Sequence, residues 1–353
     1  MASRRPFVVP VFLAHQGCPH RCVFCNQALI TAQKPRLPDA KQFHRRVSEF
    51  LKHRGPGRGP VQIAFYGGNF LGLGEAEIKH LLGLARQWIK AGKADSIRFS
   101  TRPDTITTGN LGLLEGFAVR TIELGVQSMN DTVLTASARG HDAATTRRAA
   151  ALIKKMLPDC ELGIQLMVGL PRDTGQSALA SARAVVELAP DFVRIYPTLV
   201  LDQSPLATLY RQGKYSPLAL EEAVGLCARL YCIFRQNRIK VVRMGLQATD
   251  ELRQPGTIIA GPFHPAFGQL VISGVCLETV LANLDGRPLK KLAAPPALES
   301  SLRGQHNSNL ARLEKITGTP VPDIESDPGL APDQLAVNGR PVRLCGEADQ
   351  QPN

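Results

Sequence analysis

The chain is predicted to be an α/β protein: a partial (β/α)6-type TIM barrel with a small C-terminal appendage. Three observations lead there. Short apolar, β-branched runs alternate with amphipathic stretches, the pattern of parallel strands joined by helical crossovers. At least six such units are present, which favours a closed or partly closed barrel over an open sheet. The chemically interesting residues come just after the runs, and parallel barrels place their active sites at the C-terminal ends of the strands. With 353 residues, 44% hydrophobic and 20% charged, the chain is long enough for one barrel-sized domain plus an appendage. The division is expected at 1–280 and 281–353.

The strands are expected at residues 7–13, 61–66, 96–100, 119–126, 161–168 and 192–198, with a seventh at 239–244. Helical periodicity fills 76–91, 143–156, 176–188 and 218–237. The cysteine-rich loop follows the first run. Gly67-Gly68-Asn69 follows the second, Arg102 and Asp104 the third, Gln127 and Ser128 the fourth, and Gly169-Leu170-Pro171 the fifth. After about residue 275 the pattern weakens. Residues 289–296 read as a linker, and 302–316 as a short helix. A Pro/Asp-rich tail then carries two short strands at 334–337 and 342–344. The last few residues read as frayed, so the appendage is expected to be partly flexible.

The net charge of +12 is unevenly spread. Residues 1–100 carry 16 Lys+Arg against 5 Asp+Glu, a balance of +11. Arg4, Arg5, Lys34, Arg36, Arg45, Arg46, Lys52, Arg54 and Arg58 contribute. A basic third of this kind suits a nucleic acid or another phosphorylated partner; a merely solvated surface is the other reading. No run of 18 apolar residues occurs, so no membrane span is expected. The first apolar run is short and interrupted by Pro10, a poor secretory signal. Eight cysteines in 353 residues is not disulfide density. Together these features point to a cytoplasmic, reducing home, where clustered cysteines read as metal ligands or catalysts.

The cluster is Cys18, Cys22 and Cys25, within Gly17-Cys-Pro-His-Arg-Cys-Val-Phe-Cys-Asn26. Thiolates suit iron–sulfur clusters and zinc. One loop with these spacings can curl three sulfurs around three irons of a cubane and leave the fourth iron open to a small molecule. Structural zinc normally takes four ligands. His20, two residues from both Cys18 and Cys22, is poorly placed to be the fourth. Buried thiols acting as small hydrophobes are the remaining alternative. Cys160, Cys227, Cys232, Cys276 and Cys345 form no second motif, and Cys227 and Cys232 fall on different faces of one helix.

The cysteine triplet, directly after a first strand, resembles the signature of the radical S-adenosylmethionine (SAM) superfamily. Phe65-Tyr-Gly-Gly-Asn-Phe70 resembles that family's Gly-Gly motif. Ser100-Thr-Arg-Pro-Asp104, Glu123-Leu-Gly-Val-Gln-Ser128, Arg139-Gly-His141 and Gly169-Leu-Pro171 are similar to the branch containing the Elongator catalytic subunit and the oxygen-independent coproporphyrinogen oxidases. Arg194-Ile-Tyr-Pro-Thr198 leans to the Elongator side. The resemblance covers about residues 7–250 and omits both the acetyltransferase domain of the first and the long C-terminal domain of the second.

The resemblance implies an enzyme whose 4Fe–4S cluster, held by Cys18, Cys22 and Cys25, cleaves S-adenosyl-L-methionine to a 5′-deoxyadenosyl radical that takes a hydrogen atom from substrate. It places Phe24 near the adenine. Gly67, Gly68 and Asn69 would meet the methionine amino group through backbone carbonyls, Gln127 and Gln165 the ribose, and Arg139 the methionine carboxylate. Gln165 stands where relatives often carry an Asp. Tyr196, Arg243 and His264 follow late strands and could face substrate or serve only structure. An electron donor such as flavodoxin or ferredoxin is implied. The expected substrate is an RNA base, with tRNA the first candidate. The alternatives are a small metabolite, as for a porphyrinogen oxidase, or a zinc- or cluster-stabilised nucleic-acid-binding module without turnover.

Overall fold

A computed structural model describes residues 6–31, 36–55, 57, 59–246 and 250–346. Arg4, Arg5, Lys34, Arg58 and the C-terminal residues expected to fray lie outside that set. Seven strands form one all-parallel sheet: β1 (Phe7–Phe12), β2 (Val61–Tyr66), β3 (Ser96–Thr101), β4 (Val119–Gln127), β5 (Glu161–Val168), β6 (Phe192–Pro197) and, past a two-residue β7 (Val200–Leu201), β8 (Lys240–Met244). They stand in the order β1-β2-β3-β4-β5-β6-β8. The sheet curls into a half-barrel with β1 and β8 at its open edges. β7 pairs with the short β9 (Ile258–Ala260) in a separate two-stranded ribbon.

The helices in chain order are α1 (Gln27–Thr31), α2 (Ala40–Leu51), α3 (Glu75–Lys90), α4 (Thr108–Gly112), α5 (Asp131–Ala136), α6 (Ala143–Met156), α7 (Gly175–Glu187), α8 (Pro205–Arg211), α9 (Leu220–Gln236), α10 (Asp250–Arg253), α11 (Phe267–Ala282), α12 (Glu299–Arg303) and α13 (Ser308–Thr317). Several begin where the sequence offers a cap. Asp39 accepts from Gln42 N ahead of α2, Asp142 from Thr145 N ahead of α6 and Thr174 from Ser177 N ahead of α7, each satisfying an orphan amide of a first turn. No helix among the described residues is long and apolar enough to cross a membrane.

Strand alternation divides the sheet into two faces. Val9, Val11, Ile63, Phe65, Ile97, Phe99, Ile122, Leu124, Ile164, Leu166, Val193 and Ile195 are buried in the main core, on the face the helices cover. Their neighbours in sequence turn to the concave side: Val8, Pro10, Phe12, Tyr66, Ser100, Glu123, Gln165, Arg194 and Tyr196 all line one central cavity. Fully burying a dozen such apolar side chains at about 1.5–3 kcal/mol each makes the outer layer the stabilising one. That leaves the lumen free to be polar.

The C-terminal part differs from expectation. Residues 289–296 are not a linker: β10 (Leu292–Ala294) is buried at the centre of a four-stranded sheet in the order β11-β10-β12-β13. The other strands are β11 (Ile324–Ser326), β12 (Gln334–Val337) and β13 (Arg340–Arg343). The helix expected at 302–316 is two, α12 and α13, separated by left-handed residues His306 and Asn307. α11 has no counterpart among the expected elements. Its Val275, Cys276, Leu277 and Val280 enter the second core, while Phe267 and Val271 belong to the first. A disulfide joins Cys232 of α9 to Cys345, just past β13, although the sequence offered no pairing.

Candidate active site

The cavity, 630 Å³, lies in the lumen of the half-barrel under the loop that follows β1. Cys18, Cys22 and Cys25 all line it, as do Phe24, Gly67, Gly68, Gln127, Arg139 and Gln165. Tyr196 and Arg243 also face it; His264 does not, and its Nδ1 accepts from the Ala266 amide at 3.1 Å.

Asn69 is the exception among the predicted cofactor residues. It does not line the cavity, its carbonyl accepts from Gly72 N at 2.9 Å, and its side chain is fully buried. Nδ2 donates to Gly17 O at 2.7 Å. Oδ1 accepts from Thr101 Oγ1 at 2.7 Å, Arg102 N at 2.9 Å and Thr105 Oγ1 at 3.0 Å. Asn69 therefore pins the cysteine loop to the end of β3.

The two loops approach so closely that glycine is required on both. A Cβ on Gly17, at φ 72°, would fall on the Asn69 carbonyl oxygen, and one on Gly68 would sit 2.6 Å from Gln16 O. His15 closes the same joint: its amide donates to Gly67 O at 2.9 Å and its Nε2 accepts from Gln27 N at 2.9 Å. Burial first, then the charge of Arg21, holds the His15 pKa below its usual value, which suits an accepting, neutral ring.

Burial, then the neighbouring Cys22, pushes the Cys25 pKa to about 12 and also raises that of Cys18. Two buried guanidinium groups face Cys22. Arg139 Nη1 donates to its Sγ at 2.9 Å, with Arg102 Nη1 at 4.0 Å. Arg139 Nη2 donates to Gly125 O, and Arg102 Nη2 to Arg139 O. Arg102 is further held by Asp104 through two 2.9 Å bonds.

At the floor of the lumen stands Glu123, with 0% exposure. Its carboxylate accepts from Arg98 Nη2 at 2.7 Å, Arg194 Nε at 2.6 Å, the Tyr66 hydroxyl at 2.7 Å and Gln165 Nε2 at 3.2 Å. Burial alone would raise the Glu123 pKa, but the charges of Arg194 and then Arg98 outweigh it and hold the carboxyl below its usual range. The network explains Gln165. A carboxylate there would face Glu123, whereas the amide donates to it. Gln165 is the register partner of Arg194 on β6, and Arg194 that of Arg243 on β8, so the three side chains share the lumen face. The sequence carried Glu123, Tyr66 and Arg194 inside family motifs but assigned none of them a role. The available signal was the lone polar residue between apolar neighbours in Ile122-Glu-Leu124 and Val193-Arg-Ile195.

The comparisons with known proteins bear on this geometry. The model of the radical SAM superfamily matches residues 13–185, and that of the radical SAM C-terminal domain residues 190–275. The chain belongs to the radical SAM superfamily. It is an enzyme, and the cofactors of that family are a 4Fe–4S cluster and S-adenosylmethionine. The enzyme is 25% identical over 250 residues to a tRNA uridine(34) acetyltransferase of Dehalococcoides mccartyi (strain CBDB1), covering 60% of this chain and 52% of that protein. It is 28% identical over 225 residues to protein YhcC of Escherichia coli (strain K12), covering 58% and 68%. The chain thus spans about half the length of the acetyltransferase relative. In fold it resembles the archaeal Methanocaldococcus infernus Elp3 with an N-terminal deletion, at TM-score 0.59 and 21% identity over 76% of this chain and 62% of that one.

The residues present fit both cofactors of the radical SAM enzyme. Buried Gln127 Oε1 and Arg139 Nε have no hydrogen-bond partner among the described residues, so each has capacity for a ligand. Gln127 is aimed into the cavity by a β-bulge after Gly125 and a positive φ of 71°. Among the described residues no three His, Cys, Asp or Glu side chains converge as a single metal ion requires. Three thiols lining one cavity suit a cluster, where each meets a different iron.

Proposed function

We propose that this radical SAM enzyme acts on an RNA base, holding its cluster on Cys18, Cys22 and Cys25. The observation that carries the proposal is the shared cavity: the three thiols, the orphaned Gln127 and Arg139 atoms and the charged lumen floor are walls of one space. When bound, the cluster and S-adenosylmethionine supply a hydrogen-abstracting carbon radical. The chain's own residues then bind and orient. Arg139 offers its unpartnered Nε to the methionine carboxylate, Gly67 and Gly68 admit the amino group close to the backbone, and Gln127 and Gln165 reach the ribose hydroxyls. Phe24 packs at the adenine. Asn69 supports this set through the loop it ties down. Electrons come from a small carrier of the flavodoxin or ferredoxin class.

RNA is favoured by the +11 balance of residues 1–100 and by relatives named for tRNA uridine(34). A second reading, a small metabolite, is favoured by the 630 Å³ lumen that the polar side chains of the strands enclose. Anaerobic turnover with unmodified tRNA separates the two. The RNA reading expects tRNA-stimulated 5′-deoxyadenosine release and a new nucleoside mass in the digested tRNA. Release that is indifferent to RNA and stimulated by a porphyrinogen would overturn it.

A further inference from the structure

A second hollow of 450 Å³ runs along the outside of the half-barrel, between the open edge strand β1 and α2. Arg36, Arg45 and Arg46 line it, with Glu49 the one carboxylate on its described wall. Among the described residues none of the three arginines forms a salt bridge. The Arg46 guanidinium sits 5.2 Å from the centroid of the Phe12 ring, a cation–π contact that keeps it extended along the groove floor. Phe12 and Phe50 also line the active-site cavity, so the basic groove and the lumen share a wall. Because β1 has a strand on only one side, the lumen mouth is not closed off there by an eighth strand.

We propose that this groove seats the phosphodiester backbone of the RNA, and that the target nucleotide enters the lumen past Phe12 and Phe50. The placement rests on the RNA reading above. Guanidinium forks pair bidentately with phosphate oxygens. Half-buried aromatic rings at the threshold offer unstacked bases a surface, as single-strand binders do. An acidic redox protein would also meet a basic surface, but it would use the groove alone. A polynucleotide can occupy groove and lumen at once.

The test compares wild type with the double variant Arg36→Gln/Arg45→Gln. Neither residue packs on Phe12 or lines the active-site cavity. Fluorescence anisotropy with labelled tRNA between 50 and 200 mM KCl reads affinity and salt slope; iron content and S-adenosylmethionine affinity verify that the site is intact. Binding should weaken at least about 10-fold at 100 mM salt, and the log–log salt slope should become shallower by about 1.5–2, the loss of two phosphate contacts. A Lys290→Gln control, on the C-terminal part, should change neither. Wild type binding tRNA while the double variant matches it in affinity and slope would overturn the placement and leave the RNA reading standing. Unchanged tRNA binding with slowed cluster reduction by reduced flavodoxin would assign the groove to a protein and overturn it as well. Absence of tRNA binding by wild type at 50 mM salt would overturn both the placement and the RNA reading.

Discussion

Arg139 donates to Cys22 Sγ and to Gly125 O while its Nε points at no described partner. It can therefore serve two neighbours, the cluster loop and an incoming carboxylate. A charge-assisted hydrogen bond is worth about 1.5–3 kcal/mol, so Arg139→Gln should weaken S-adenosylmethionine binding about 10- to 100-fold by anaerobic equilibrium dialysis, with iron content retained. Unchanged affinity would remove Arg139 from the site. His141, two residues on, is buried. Burial, then the charge of Arg139, lowers its pKa to about 4. The unfolded chain takes up that proton near pH 6.5 and the folded one only near 4, so stability falls as pH drops through that window, by at most about 3 kcal/mol. The Glu123 contribution has a depressed folded pKa: it is present above about pH 4.3 and lost as pH falls further, through the folded value. Urea titrations of the cluster-free protein from pH 7 to 4 should show the first loss, and His141→Gln should flatten it. At this scale the sequence pointed to the cysteines through their spacing and to Gly67, Gly68 and Gln127 through the family resemblance, and all of them line one cavity. It concealed Asn69 as a tie, since its partners Gly17, Thr101 and Thr105 meet only in three dimensions.

The elements that shape the site are strands with two unlike faces. Residues 61–66, 143–156, 161–168 and 334–337 fall at the observed boundaries, and the other strands of the half-barrel within a residue or two, because short β-branched runs between turn signals are strong local information. The lumen network was less legible. Reading each strand as one apolar run hides the inward polar residue that period-two alternation brings beside its neighbours. Glu123→Gln tests the network. It leaves Arg98 and Arg194 buried without their counter-charge, which should cost about 3–5 kcal/mol in chemical denaturation; a change below 1 kcal/mol would contradict the pairing. Asn69→Ala tests the tie between β3 and the cysteine loop. Loss of its buried bonds should cost about 1–3 kcal/mol and lower the iron retained after reconstitution, whereas a fully stable, fully loaded variant would show that the tie is dispensable.

Across the whole molecule, the half-barrel was legible, and the C-terminal part was legible only in its last two strands. The barrel repeats one local unit, strand then helix, so each unit announces itself. α11 is apolar nearly all round because it lies between the two cores, and a helix buried on opposite sides carries no amphipathic period. β10 is three residues long and takes its strand character from partners more than thirty residues away in sequence. The Cys232–Cys345 bridge spans 113 residues and has no local signal. The basic groove, by contrast, was visible as an excess of Lys and Arg in the first hundred residues, though not as a groove beside the lumen.

The central claim is that the thiols of Cys18, Cys22 and Cys25 hold a cluster serving S-adenosylmethionine within the lumen. Anaerobic reconstitution of wild type and of Cys22→Ala, followed by iron and zinc analysis and a dithionite-driven assay for 5′-deoxyadenosine, tests it directly. The account predicts about four irons per chain in wild type with 5′-deoxyadenosine released, and loss of product in Cys22→Ala. One tightly bound zinc without cleavage in wild type, or undiminished cleavage in Cys22→Ala, would contradict it.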